Sequence, residues 1–372
     1  MRVLVVNPGS SSLKLRLLDP DDHVAAEDDL PASSGEVERP ALEGFLQRAG
    51  VPDAVGVRVV HGGPEFRASV RVDAAVLERL GATAELAPLH NPPALLALEV
   101  LQQTRPTLPL VACFDTAFHA SLPEAAVVYA VPWRWTEELG VRRYGFHGLS
   151  HAWASRRAAQ LLGRPSESLR VVTCHLGAGA SLCAVNRGVS VDTTMGFTPM
   201  EGLVMATRSG SIDPGALLWV QRRRGLSAAD AERELDRQAG LLGISGHSAD
   251  MREVLKSAEE GSARSQLALD VYLHRLRASI AGMAAALGGL DALVFTGGVG
   301  EHSSQVRALA CVGLEFLGVR LAEDRNRSPQ PDTLLSPPGC EVATLVIAAR
   351  EDLEIAREVR RVLSAPATEQ AR

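Results

Sequence analysis

Residues 7–14, NPGSSSLK, put a glycine, three hydroxyls and an ammonium on the bend between two apolar runs, Val3 to Val6 and Leu13 to Leu18. A hairpin turn needs only one or two turn formers. The surplus matches an oxyanion: glycine lets backbone N–H groups point one way, the serines donate, and Lys14 adds positive charge. The spacing is not G-x-x-x-x-G-K-[ST] and no helical pattern follows, so this is not a P-loop. Taken alone, an ordinary Ser-rich turn is the better explanation of the stretch.

The rest of the chain changes that balance. Residues 173–184, TCHLGAGASLCA, repeat the plan: an apolar run, a glycine-bearing bend of small residues, Ser-Leu, then another apolar run. Two copies about half a chain apart predict a duplicated domain that faces its own copy. A third small-residue segment, 295–303 (FTGGVGEHS), follows the run Ala292 to Thr296 and opens a helix, where glycines admit close backbone approach and the helix start favours anions. Together the three segments predict a nucleotide cleft.

The elements that must position these loops alternate in type. Strand-like runs at Ala54 to Val60, Leu108 to Phe114, Leu169 to His175, Ser181 to Val185, Ala292 to Thr296 and Glu341 to Ala348 join the two N-terminal ones. Helical patterns cover Pro92 to Gln103, His151 to Leu162, Pro214 to Arg224, Ala249 to Glu260, Ala263 to Leu287 and Glu351 to Leu363. Such alternation predicts an α/β fold with partly parallel sheets. In the helix from Ala263, the apolar positions Leu267, Val271, Leu276 and Ile280 are expected in the core.

At 372 residues the chain exceeds one ordinary core, so two domains are expected. A net charge of -6 argues against nucleic acid as partner, and Arg222 to Arg224 read as a solvated helix end. The five cysteines are scattered with no C-x-x-C pair, which fits a reducing cytoplasm. The N-terminal apolar run breaks at Asn7 and Pro8, unlike a signal peptide, and no run reaches membrane-spanning length, so a soluble protein is expected.

Further motifs follow in order: RVVHGG (58–63), LAPLHNPP (86–93), CFDTAFH (113–119), RYGFHGLSH (143–151), HLGAGASL (175–182), DTTMGFTPMEGL (192–203), TRSGSIDPG (207–215), HSADMREV (247–254) and REDLEIAR (350–357). With the three small-residue loops, this set resembles the acetokinase family of the acetate and sugar kinase, chaperone ATPase and actin superfamily. The resemblance runs along almost the whole chain. It implies two duplicated ribonuclease-H-like domains with a nucleotide cleft between them: residues 1–117, completed by a C-terminal helix at 353–372, and residues 118–352. It also implies a cytoplasmic homodimer.

The activity so implied is reversible, Mg²⁺-dependent (Mn²⁺ possible) transfer of the γ-phosphoryl group of ATP to acetate by direct in-line displacement. The resemblance gives catalytic roles to Arg58, Arg208, Asp115, His147 and His90. A phosphoryl group moving between two anions needs such positive charge around its equatorial oxygens, and arginine supplies it as a planar fork. For the acetate methyl it implies a pocket of Val60, Leu89, Phe146 and Pro199, with Arg58 on the carboxylate. Ser10, Ser12, Lys14, His175, Gly177 and Gly179 would bind phosphates; Asp250, Arg252, Gly297, Gly298 and Gly300 would lie at the nucleotide; Asn7 and Glu351 would serve the metal.

The chain departs from the family pattern at several points. Val57 stands where a histidine is usual, Ala178 and Ala180 replace Asn and Ser, and Ala349-Arg350 replace Thr-Asn. Phosphate binding at 177–181 then rests on backbone N–H groups. Two alternatives stay open: the same chemistry on propionate or butyrate, and a non-catalytic actin-like nucleotide switch, against which the paired arginines and the Phe146-His147 segment argue.

Overall fold

The computed structural model describes residues 1–9, 12–31, 39–88, 90–327, 329, 330 and 332–365. They form two compact units. The first contains Met1–Ala120, Phe146–Trp153 and the chain from Arg350 onward; the second contains Ser121–Gly145 and Ala154–Ala349. A division at 117 puts residues 146–153 in the second domain; in the structure Gly148 N donates to Asp115 O at 2.9 Å and draws that segment into the first unit.

The first unit is built on six strands: β1 (Val3–Pro8), β2 (Ser12–Leu18), β3 (Val24–Pro31), β4 (Ala54–Val59), β5 (Val70–Arg71) and β6 (Leu110–Phe114), in the order β3-β2-β1-β4-β6-β5. β1 to β3 form an antiparallel meander, β4 and β6 run parallel to β1, and β5 closes the edge antiparallel. The inner strands read as continuous apolar runs because both faces are covered. Leu4, Val6, Val55 and Val57 pack with Phe45, Leu98 and Leu101 of the helices Arg39–Ala49 and Asn91–Thr104. On the other face, Val3, Val5, Ala54, Val111 and Cys113 pack with Ile355, Ala356, Val359 and Val362 of the helix Glu351–Ser364. That helix lies so close to β4 that a Cβ on Gly56 would sit 2.5 Å from the Cγ2 of Ile355.

The second unit repeats the plan. Its strands are β7 (Arg170–Leu176), β8 (Ala180–Asn186), β9 (Val189–Thr193), β10 (Ala292–Thr296), β11 (Thr333–Leu334) and β12 (Ala343–Val346), ordered β11-β12-β10-β7-β8-β9. Read from its other end, this is the order of the first sheet advanced by six, with the same parallel and antiparallel senses at every pairing. The expected duplication of a ribonuclease-H-like α/β domain is therefore present strand for strand.

Among the elements absent from the sequence reading are β3, β9 and the helix Arg39–Ala49. β3 (VAAEDDLP) is an edge strand carrying three acids, and its polar residues hide the alternation that marks a half-buried strand. The core assignment of Leu267 is corrected. In the helix Ala263–Ala286 the buried stripe runs through Ala268, Leu269, Tyr272, Leu276 and Ile280, and Leu267 points to solvent at 53% exposure. Arg222 to Arg224 are exposed at the end of the helix Pro214–Arg224, as expected. No helix among the described residues is long and apolar enough to cross a membrane.

Candidate active site

In the first unit, polar groups gather where β1, β4 and β6, adjacent and parallel, reach their C-terminal ends. Side chains alternate along a strand, so the positions facing the C-terminal helix are Val3, Val5 and Asn7 on β1, Ala54, Gly56 and Arg58 on β4, and Val111, Cys113 and then Asp115 after β6. The same face is apolar along the strands and turns polar at their ends, where open α/β sheets bind ligands. Glu351 arrives as the first residue of the helix packed on that face.

These side chains form one network. Arg58 donates Nε to Oδ1 of Asp115 at 2.8 Å and Nη2 to Oδ2 at 2.6 Å. Its Nη1 donates to Oδ1 of Asn7 at 3.1 Å, and Nδ2 of Asn7 donates to Oε2 of Glu351 at 3.0 Å. Glu351 Oε2 lies 3.8 Å from Arg58 Nη1, inside ion-pair range. Burial works against the charge on Arg58, but Asp115 and Glu351 outweigh it and hold the guanidinium proton more firmly than usual. Of the five N–H donors of a guanidinium, Asp115 and Asn7 take three, which leaves two for a bound oxyanion. Lys14 on β2 stands directly opposite Asn7 in the ladder, on the same face.

His147 joins this unit in a constrained backbone. Its φ is +55°, a left-handed conformation uncommon outside glycine, and strain of that kind clusters at functional sites. The next residue is Gly148, where a Cβ would collide with the carbonyl oxygen of Asp115. The Phe146 carbonyl accepts from Nε2 of His119 at 3.0 Å, and the buried Phe146 ring meets His61 edge-on, centroids 5.3 Å apart. His61 is itself locked: its Nδ1 accepts from Gly63 N at 2.8 Å, and Asn91 bridges its backbone N–H and carbonyl. His90 precedes the helix Asn91–Thr104 without capping it, and Val60 is partly buried just beyond β4. Ser10 and Leu89 lie outside the described residues, as does the side chain of Ser12.

The second unit carries the remaining expected residues. His175 near the end of β7 stands opposite Ser181 on β8 and beside Thr296 on β10. The bend between β7 and β8 is tight, with Gly177 N donating to Gly179 O at 2.9 Å and Ala178 O accepting from Ala206 N at 3.1 Å. Gly297 has φ +77°, and a Cβ there would come within 2.9 Å of the Leu176 carbonyl oxygen; Gly298 faces open space and Gly300 makes ordinary contacts. Arg208 donates Nε to Asp236 Oδ1 at 3.0 Å and Nη1 to the Pro199 carbonyl at 3.1 Å. Asp250 caps the helix Met251–Glu259 through Arg252 N, and the Asp250 and Arg252 side chains pair with each other in the open, so neither is buried. Asp236 had no sequence signal: it is one acid among several on the amphipathic helix Ala228–Arg237.

Asn7 and Glu351 offer one amide and one carboxylate oxygen, half-buried and hydrogen-bonded to one another. That donor set is hard and sparse. It suits Mg²⁺, which binds through one or two carboxylates plus substrate phosphates and keeps several waters.

Two sheets of one plan, with a guanidinium–carboxylate fork where parallel strands end, define the class: a two-domain kinase of ribonuclease-H-like build. Residues 43–357 match the Acetokinase family, and the chain belongs to it. It is 42% identical to acetate kinase of Cyanothece sp. (strain PCC 7425 / ATCC 29141), covering 96% of this chain and 97% of that one. It is 43% identical to propionate kinase of Citrobacter rodentium (strain ICC168), with coverage of 97% and 96%. The crystal structure of Porphyromonas gingivalis acetate kinase superimposes with a TM-score of 0.90 at 35% identity, covering 98% and 100% of the two chains.

Proposed function

We propose that this chain transfers the γ-phosphoryl group of ATP to acetate, reversibly, giving acetyl phosphate and ADP by direct in-line displacement. The observation that carries the reading is the Arg58 fork, a guanidinium held on two sides by Asp115 and Asn7 with two donors left over. In the proposed reaction Arg58 orients the acetate carboxylate and meets the transferring group, and Asp115 fixes the plane of its fork. Arg208 and His147 add charge and hydrogen bonds to the equatorial oxygens, with His90 nearby. Preorganised donors of this kind act without reorganising at the moment of transfer.

In this reading Val60, Leu89, Phe146 and Pro199 enclose the acetate methyl. Ser10, Ser12, Lys14, His175, Gly177 and Gly179 hold phosphates, and Gly297, Gly298, Gly300, Asp250 and Arg252 accompany the nucleotide. Asn7 and Glu351 would hold Mg²⁺, which when bound neutralises phosphate charge. The chain works in the cytoplasm as a homodimer; that four of its five cysteines are buried and unpaired supports a reducing compartment.

The test is direct. Protein incubated with ATP, Mg²⁺ and acetate in the presence of hydroxylamine is expected to accumulate acetohydroxamate, and excess EDTA is expected to stop it. ADP release without hydroxamate would overturn the reading in favour of a nucleotide switch. A propionate kinase as similar as the acetate kinases makes propionate the second acceptor to assay.

A further inference from the structure

Within the second unit, the segment 194–202 that follows β9 is wrapped around one carboxylate. Glu201 Oε1 accepts from Arg143 Nη2 at 2.8 Å, and Glu201 Oε2 accepts from the Tyr129 hydroxyl. The Tyr129 oxygen in turn accepts from Phe197 N at 3.0 Å. Arg143 spends its other arm on the segment itself, donating Nη1 to the carbonyls of Thr194 at 3.1 Å and Met195 at 2.9 Å. Its guanidinium carbon lies 5.4 Å from the centroid of the Tyr129 ring. Tyr144 N donates to the Gly196 carbonyl at 3.0 Å. The packing leaves no room at Gly196, where a Cβ would overlap Glu201 Oε2 and the Tyr129 hydroxyl.

This construction ends on Arg208. The Pro199 carbonyl, two residues before Glu201, accepts from Arg208 Nη1, and Asp236 holds Nε from the other side. The segment that carries this carbonyl is anchored on either side of Pro199, at Thr194 and Met195 by Arg143 and at Glu201 by Arg143 and Tyr129.

We propose that Glu201, clamped by Arg143 and Tyr129, is a positioning residue that sets the plane of the Arg208 guanidinium. The inference rests on the reading above that Arg208 acts on the transferring phosphoryl group. A one-ångström misplacement of such a group can cost about 10²-fold in rate, so a clamp remote from the reacting atoms controls turnover.

The test is a double-mutant cycle read by the hydroxamate assay. Glu201→Gln keeps the shape but removes the charge that holds Arg143, and is expected to lower kcat by about 10- to 100-fold with the KM for ATP within about twofold. In an Arg208→Lys background, whose compact ammonium has no plane to orient, the same change is expected to cost less than about twofold, because residues acting as a unit are non-additive. Tyr129→Phe, which removes only the hydroxyl, is expected to follow the same pattern with a smaller loss and carries the test should Glu201→Gln not fold. Equal losses in both backgrounds, or a rise in KM for ATP at constant kcat, overturn the proposal. An inactive wild-type protein would instead overturn the kinase reading.

Discussion

Arg58 on β4 and Asp115, one residue past the end of the neighbouring parallel strand β6, meet through two parallel hydrogen bonds of 2.8 and 2.6 Å. Asp115 is 1% exposed, so its charge is held away from water and against the guanidinium. Removing the guanidinium therefore has two consequences. Arg58→Ala is expected to lower kcat about 10³-fold or more, the scale of a phosphoryl-transfer arginine. It is also expected to lose about 3 kcal/mol of stability, because a buried carboxylate loses its guanidinium partner. Arg58→Lys should recover part of the stability and little of the rate. Turnover within tenfold of wild type in Arg58→Ala would remove this arginine from the chemistry; urea unfolding measures the second effect.

Gly148 has no room for a methyl group, since the Asp115 carbonyl oxygen and, at 2.9 Å, the Cβ of Phe118 occupy its place. Gly148→Ala must push His147 and Asp115 apart. The expected cost is about 1–3 kcal/mol of overpacking, with kcat falling by a larger factor than stability alone explains. Thermal unfolding beside the hydroxamate assay checks this, and a variant with unaltered melting temperature and rate would contradict the packing described.

Acyl selectivity follows from how small the distinguishing group is. One extra methylene in an apolar pocket changes transition-state binding by only ~1–3 kcal/mol, so kcat/KM for propionate is expected about 10- to 200-fold below that for acetate. The ratio is measured with both acids at fixed ATP. A ratio near one or inverted would move the assignment to the propionate branch of the family.

The pH dependence of stability has a marker in Asp291. Burial raises its pKa, but hydrogen bonds from the side chain and backbone N–H of Arg170 and the charge of Arg164 prevail, so it lies below the ordinary carboxylate value. Asp291 therefore stabilises the fold fully above the unfolded value near 3.8, and that contribution disappears as the pH falls through the lower folded value. Asp291→Asn is expected to be about 1–2 kcal/mol less stable than wild type from pH 5 to 7, the scale of charge-assisted hydrogen bonds. The gap should narrow as the pH falls below 3.8. Denaturation at pH 7 and pH 3 tests it; a gap that widens on acidification would reverse the sign.

The repeated Gly/Ser bends were readable because they sit between apolar runs of matching length, and the structure turns both into hairpins of equivalent sheets. β3 and β9 escaped because edge strands meet solvent on one side and carry little periodic signal. Leu267 misled because an apolar residue one step off a buried helical stripe looks the same in sequence as one within it. Glu201 and Asp236 belong to the same category as any surface acid until the chain folds back on itself.

What the sequence alone determined is local chemistry and order: which residues can bind an oxyanion, which runs form strands, and that one plan occurs twice. Those properties depend on side-chain type, spacing and backbone freedom within a few residues, all of which a linear string contains. The tertiary structure alone decided partnership, joining Asn7 to Glu351 across 344 positions and Arg58 to Asp115 across 57. Hydrogen bonds between such residues form only after burial of the apolar strand faces has fixed the separations, a free-energy balance summed over the whole domain and written at no single position.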